Sequence, residues 1–217
     1  MDNQRSILLI VILFFSISAK SQEVYHKIIG EEKKPGFYWD KDGVKHNGTL
    51  KLKFSNTSLT GTTIKFYQNG KKMGRLGVDE MESFLYGRDS FVLVKNFKID
   101  GFERYKEDFA KVLENGKIDL YMHLHLGKKT EYENLLKQLD QLMYYSYGSG
   151  TYLLKVYLLK LEDSSSFIVI KDIESFKEKF IPLISVNKKM TQHILSMDEK
   201  YWLDNLPRFV LEYNSRH

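Results

Sequence analysis

The chain has no cysteine. That absence removes disulfides and the thiolate ligands of most structural zinc sites. It also removes the lipid-modified cysteine that would tether a bacterial lipoprotein at a new N-terminus. Long apolar runs are missing too. The longest, Ile7 to Phe15 continuing through Ser16 and Ile17, is about half of the ~20 residues a membrane-spanning helix needs. The third absence is a cationic stripe. The net charge is +5, but lysines alternate with acids along most segments, unlike the clustered cations and stacking aromatics of a nucleic-acid binder.

What is present at the start reads as a secretory signal peptide. Arg5 supplies the charged region, Ile7 to Phe15 the apolar region, and Ala19 and Ser21 the small residues before a cleavage point at Gln22. Residues 1–21 are therefore expected to be removed, leaving residues 22–217 as one domain, 217 − 21 = 196 residues. A chain of that size buries about 70% of its unfolded surface, enough for one non-covalent core. With Asp2, Arg5 and Lys20 gone, the mature net charge is 5 − 1 = +4. Aromatic residues make up 14% of the chain, more than a disordered sequence carries.

The pattern along the mature chain predicts an α+β fold, with an antiparallel sheet drawn from residues 24 to 170 and a helical C-terminal segment packed on it. Between Phe37 and Ile99 the period is two, with turns expected at Asp42-Gly43, Asn47-Gly48 and Asn69-Gly70. Lys71 to Leu76 is the expected return strand. Asp79 and Glu82 suggest a short helix reaching Tyr86, and Phe91 to Phe97 another strand. Tyr105, Phe109, Val112 and Leu113 have helical spacing before Gly116, predicting a helix over 103–115. Residues 118–126 alternate as a strand, Thr130 and Glu133 open a helix predicted to reach 144, and Tyr152 to Leu161 reads as a central strand beside Phe167 to Ile170. Beyond Asp172 the period is helical: Pro182 should end or kink the first helix, Asn187 should cap the second, and Asn205 the last, with Pro207 in its first turn.

The search for chemistry finds little. His123 and His125, two apart on a strand, share one face and could reach one ion, but a zinc site needs three or four ligands, and His26, His46, His193 and His217 are scattered. Exposed strand histidines are the simpler reading. Gly70, Gly74 and Gly77 match no phosphate-loop spacing, and Asp40, Asp42 and Gly43 lack the distal glutamate of a calcium loop. Ser149 between Gly148 and Gly150 is not a nucleophile elbow. The acid pairs Glu107-Asp108 and Glu162-Asp163 are expected to be solvated, giving no glycosidase dyad. Asn47 and Asn56 open matches to the glycosylation pattern. Tyr144, Tyr145, Tyr147 and Tyr152 could bind a sugar or peptide, or simply fill a helix–strand junction.

Taken together, Asp40-Lys41-Asp42-Gly43, Gly48-Thr49-Leu50, Phe109 to Gly116 running into Ile118-Asp119-Leu120-Tyr121, and the tail Leu211-Glu212-Tyr213-Asn214 give the chain a family look. It resembles a loose group of uncharacterised exported proteins of Bacteroidota-type bacteria. The resemblance implies a periplasmic or cell-envelope setting and carries no catalytic residues. The lack of a lipidated cysteine and the helical C-terminus argue against a lipoprotein or an outer-membrane barrel. The expectation is an exported, soluble, non-enzymatic protein, without cofactor or catalytic residues. Its partner would be an envelope protein or glycan and not a nucleic acid, and its mature form would have no transmembrane span. The alternative is a hydrolase-like enzyme whose site is assembled from distant residues.

Overall fold

The computed structural model describes residues 32–54, 61–99, 104–128, 144–146 and 151–215. Eleven strands form one antiparallel sheet: β1 (Lys34–Asp40), β2 (Lys45–Lys53), β3 (Thr63–Gln68), β4 (Lys71–Leu76), β5 (Met81–Tyr86), β6 (Asp89–Lys98), β7 (Arg104–Glu114), β8 (Ile118–Lys128), β9 (Tyr144–Ser146), β10 (Thr151–Leu161) and β11 (Ile168–Ile170). Their order is β11-β10-β8-β7-β6-β5-β1-β2-β3-β4, with β9 also pairing with β10. The fold is α+β and strand-rich, as the alternation predicted.

The turns with positive φ are where glycine and asparagine occur. Asn69 (φ 49°) and Gly70 (φ 78°) join β3 to β4, and Gly43 (φ 77°) closes the β1–β2 turn. Asn47-Gly48 is not a turn. Gly48 lies inside β2 opposite Gly36, where a Cβ would come within 2.4 Å of the Phe66 ring and the Tyr67 carbonyl, so glycine is there for close packing. The outer strand β4 carries Lys71, Lys72 and Arg75, charges that discourage pairing with another chain.

Three cores form around the sheet. On one face of β8, Ile118 and Leu120 pack with Tyr157, Leu159 and Ile170 under the C-terminal helices. Further along the same face, Leu124 joins Leu50, Leu52, Ile64, Phe66, Met81, Phe84, Phe91 and Phe109. Strands β8 and β2 are five steps apart in the order, which in a flat sheet would be roughly 24 Å. Leu124 and Leu52 nevertheless share one core, so this half of the sheet curls on itself. The opposite face buries Val94, Phe97, Tyr105, Ala110, Val156 and Leu158.

Burial on both faces explains the main correction to the sequence reading. Residues 103–115 are not a helix; Arg104–Glu114 is β7, paired with β6 and β8. Phe109 enters the curled core while Ala110 and Tyr105 enter the opposite one. A strand buried on both sides loses its alternation, and here the remaining apolar spacing imitates a helix. Gly116 sits in the β7–β8 turn rather than capping a helix, with Asn214 against it. The short helix expected near 79–86 is likewise a strand, β5, preceded by a turn in which Gly77 N–H donates to Glu80 Oε2 (2.7 Å). The helix expected over 130–144 lies outside the described residues up to 143, and Tyr144 begins β9.

The tail is helical as expected: α1 (Ile173–Ser175), a π-helical turn (Phe176–Phe180), α2 (Ile181–Ile184), α3 (Lys188–Leu195), a 3₁₀ turn (Glu199–Tyr201) and α4 (Trp202–Ser215). Asp172 and Ser175 form a reciprocal capping box. Pro182 falls in the first turn of α2, directly after the π-helical turn, which absorbs its missing donor and ring clash. Asn187 caps α3 by accepting from Met190 N–H (3.1 Å). Asn205 is no cap. The apolar stripe starts earlier, at the buried Trp202 and Leu203, and carries α4 through Pro207; Asp198 caps the preceding 3₁₀ turn. At the far end Asn214 pairs its amide with both backbone groups of Ile118 (3.0 and 2.9 Å), pinning the helix to the sheet. No helix among the described residues is long and apolar enough to cross a membrane.

Candidate functional site

The helix-covered core and the curled core meet at Met122, which packs against both. Among the described residues neither cover closes over the junction, and a cleft of about 440 Å³ opens there. Its floor is Leu52 from β2, Phe91 from β6, and Met122 and Leu124 from β8. Lys34, the β5–β6 hairpin residues Tyr86 to Asp89, and Lys111 from β7 complete the lining. The hairpin turns at Gly87 (φ 67°), whose N–H donates to the Pro35 carbonyl (2.9 Å). That turn places Arg88 at the mouth.

Polar groups around the mouth are arranged with few redundancies. The Tyr86 hydroxyl donates to the Glu32 carbonyl (2.6 Å). Burial, with the carboxylates of Glu32 and Asp89 nearby, pushes its phenol up to about 12. The Lys34 ammonium sits 4.7 Å from the centre of the Tyr86 ring. Lys111 Nζ is 2.7 Å from Asp89 Oδ1. Arg88 is exposed and makes no ion pair among the described residues. Among the described residues lining the cleft, the hydroxyl is that of Tyr86, which donates to the Glu32 carbonyl, and the carboxylate is that of Asp89, which pairs with Lys111.

A second polar cluster lies on the opposite face and corrects two expectations. His123 is fully buried rather than exposed, and Asp108 is 2% exposed rather than solvated. His123 Nε2 is 2.9 Å from Asp108 Oδ2. Asp108 Oδ1 accepts from the N–H groups of Thr62 (2.6 Å) and Phe109 (2.7 Å). Phe97 and Tyr105 meet the imidazole edge-on at 4.9 and 4.8 Å. His123 Nδ1 is buried without a hydrogen-bond partner. The pair ties the segment before β3 to β7 and β8, and neither residue reaches the cleft.

No third ligand for His123 is found among the described residues. The His125 side chain lies outside the described residues, among which no group of three or more His, Asp or Glu could hold a metal. Asp40, Asp42 and Gly43 form the β1–β2 turn: Asp40 Oδ1 accepts from the N–H groups of Asp42 (3.0 Å) and Val44 (2.8 Å), and Oδ2 lies 2.7 Å from His46 Nε2. These bonds, that of His46 foremost, hold its carboxyl below the usual carboxylate range. Gly74 is within β4 and Gly77 in the turn before β5. Glu162 and Asp163 are exposed in the turn after β10. Ser149, Tyr147 and Asn56 lie outside the described residues, as do the side chains of Tyr144, Tyr145 and Tyr152.

Sequence reasoning missed the cleft altogether. Its residues come from six strands and the β5–β6 turn, and from the sequence Tyr86 was expected to end a short helix and Lys111 to lie in the helix over 103–115. The one local signal was Gly87-Arg88, a glycine turn that exposes a cation between two aromatic-bearing strands. No protein-family model matches the chain, and comparison with curated proteins and with solved structures finds no match.

Proposed function

We propose that the chain is an exported, non-enzymatic binding protein that takes the apolar part of a ligand into the cleft between its two covered sheet regions. The observation that carries this reading is the cleft itself: about 440 Å³, floored by Leu52, Phe91, Met122 and Leu124 and rimmed by charge. Its size falls within the roughly 300–1,000 Å³ of small-molecule sites, and an apolar floor with a few polar groups is their usual chemistry. Export rests on Arg5, the Ile7 to Phe15 run and the Ala19/Ser21 spacing. An envelope protein or glycan that delivers or receives the ligand is part of the same reading.

The enzyme alternative has one observation in its favour, the Asp108–His123 pair, because a carboxylate behind an imidazole is how acyl-transfer sites orient a base. Its weakness is burial: His123 Nδ1 has no solvent access and no hydrogen-bond partner. The test is binding of a neutral apolar fluorophore, N-phenyl-1-naphthylamine, to the mature chain. Saturable binding with the wild type, lost in Met122→Trp, which fills the cleft, supports the reading. No saturable binding, or binding that Met122→Trp leaves unchanged, overturns it.

A further inference from the structure

Resting on the cleft as the ligand site, we propose that its ligand is an anionic single-chain amphiphile, a free long-chain carboxylate. Its alkyl chain would lie on Leu52, Met122 and Leu124, and its head group between Lys34, Arg88 and Lys111. The two halves of the lining make different demands. The floor is hydrocarbon from three strands, and an inorganic anion would leave it unused. The mouth carries three cations against one lining carboxylate, Asp89, and that carboxylate is already engaged by Lys111 at 2.7 Å. A neutral ligand leaves the excess positive charge uncompensated in a partly desolvated mouth, and a cationic one adds repulsion.

The cations are also differently held, which fits one head group approached from two sides. Lys34 is positioned over the Tyr86 ring at 4.7 Å, so it is fixed without being neutralised. Arg88, on the hairpin turn after Gly87, is exposed and offers the planar fork that matches a carboxylate. Glu32, near enough to raise the Tyr86 phenol, is exposed and does not line the cleft. It limits the mouth's positive potential without reversing it.

The experiment compares decanoate, decanol and decyltrimethylammonium by titration calorimetry, each below its micelle concentration, with anionic phosphatidylglycerol vesicles as a further arm. Decanoate should bind about tenfold or more tightly than decanol, the gain of a charge-assisted contact, and the quaternary amine most weakly. Affinity should rise about fourfold per added methylene until the floor is covered. Arg88→Gln and Lys34→Gln should each weaken decanoate and leave decanol unchanged, and added salt should do the same. Arg88→Gln changes an exposed turn and leaves the core intact, so it carries the test even if Met122→Trp does not fold. Decanol equal to or tighter than decanoate, with both competed out by N-phenyl-1-naphthylamine, overturns the anionic head group while leaving the cleft as a binding site. Failure of all three amphiphiles and of the naphthylamine overturns the cleft reading as well. Vesicle binding without monomer binding assigns the cations to a membrane surface and overturns the free ligand.

Discussion

The two ends of the sheet bury the same face by different means. At the β8–β10–β11 end, Ile118, Leu120 and Ile170 are covered by Phe176, Phe180, Trp202 and Leu206 from the helical tail. At the other end no helix among the described residues joins the core, and Leu50, Ile64, Phe66, Phe84 and Phe109 cover one another because the strands curl. A helix covers a sheet as a separate layer, whereas curling uses the sheet's own opposite side chains. Two covers of different geometry do not meet flush. The cleft at Met122 is where they part, and the candidate site follows from that mismatch rather than from any motif.

The sharpest way to break this comparison is to empty each cover in turn. Trp202→Ala and Phe84→Ala should each cost about 3–5 kcal/mol, measured by urea unfolding. Hydrogen exchange should separate them. Trp202→Ala should deprotect α1 to α4 and spare β2, β3 and β5, because a helical layer can loosen alone. Phe84→Ala should deprotect the curled strands together. Equal deprotection everywhere in both variants would mean that the covers are one cooperative unit.

Asp108→Ala probes the buried pair on the opposite face and should cost about 3 kcal/mol or slightly more. It strands His123 Nε2 together with the N–H groups of Thr62 and Phe109. Asp108→Asn keeps an acceptor and should recover part of the loss. A midpoint unchanged by Asp108→Ala would show that this pair does not link the β3 approach to β7.

Gly48→Ala should cost about 1–3 kcal/mol by overpacking, since the new Cβ would meet Phe66 and the Tyr67 carbonyl at 2.4 Å. Gly70→Ala, with nothing within 4 Å of its Cβ but a φ of 78°, separates packing from backbone strain. A larger loss at Gly70 than at Gly48 would contradict the close-approach account of β2.

The smallest effect is electrostatic. The phenols of Tyr86, in the curled half, and Tyr121, on the opposite face of β8, are both pushed up to about 12, in each case by burial first. A raised acid favours its neutral form in the folded state. Its stabilisation is therefore complete below the ordinary tyrosine value of about 10 and is lost as pH rises towards about 12. Urea midpoints followed from pH ~9 to ~12 should fall, and Tyr86→Phe and Tyr121→Phe should each flatten that fall. A slope unaffected by either change would remove these phenols as its cause.

How much of this was legible depends on how each segment is buried. Strands with one wet face announced themselves: Leu50 and Leu52 alternate with Thr49 and Lys51, and β2 is a strand. The tail announced itself through Ile173, Phe176, Phe180 and Ile184 and through the Asn187 cap. Strand β7 did not, because Phe109 and Ala110 face opposite cores and period two vanishes when both faces are dry. Gly48 misled for a related reason: glycine next to asparagine signals a turn locally, but here an aromatic ring from β3 occupies the space of its side chain.

By itself the sequence determined the α+β class, the Asn69-Gly70 turn, the helical tail and the absence of any cysteine-dependent device. These are set by local spacing, capping chemistry and composition, which act within a few residues. Tertiary structure alone decided that β7 is a strand, that Asp108 and His123 meet, and that Lys34, Arg88 and Lys111 gather over Leu52 and Leu124. Those outcomes depend on register and on the curl of the sheet. Register and curl are fixed by contacts between residues tens of positions apart, and no local pattern encodes them.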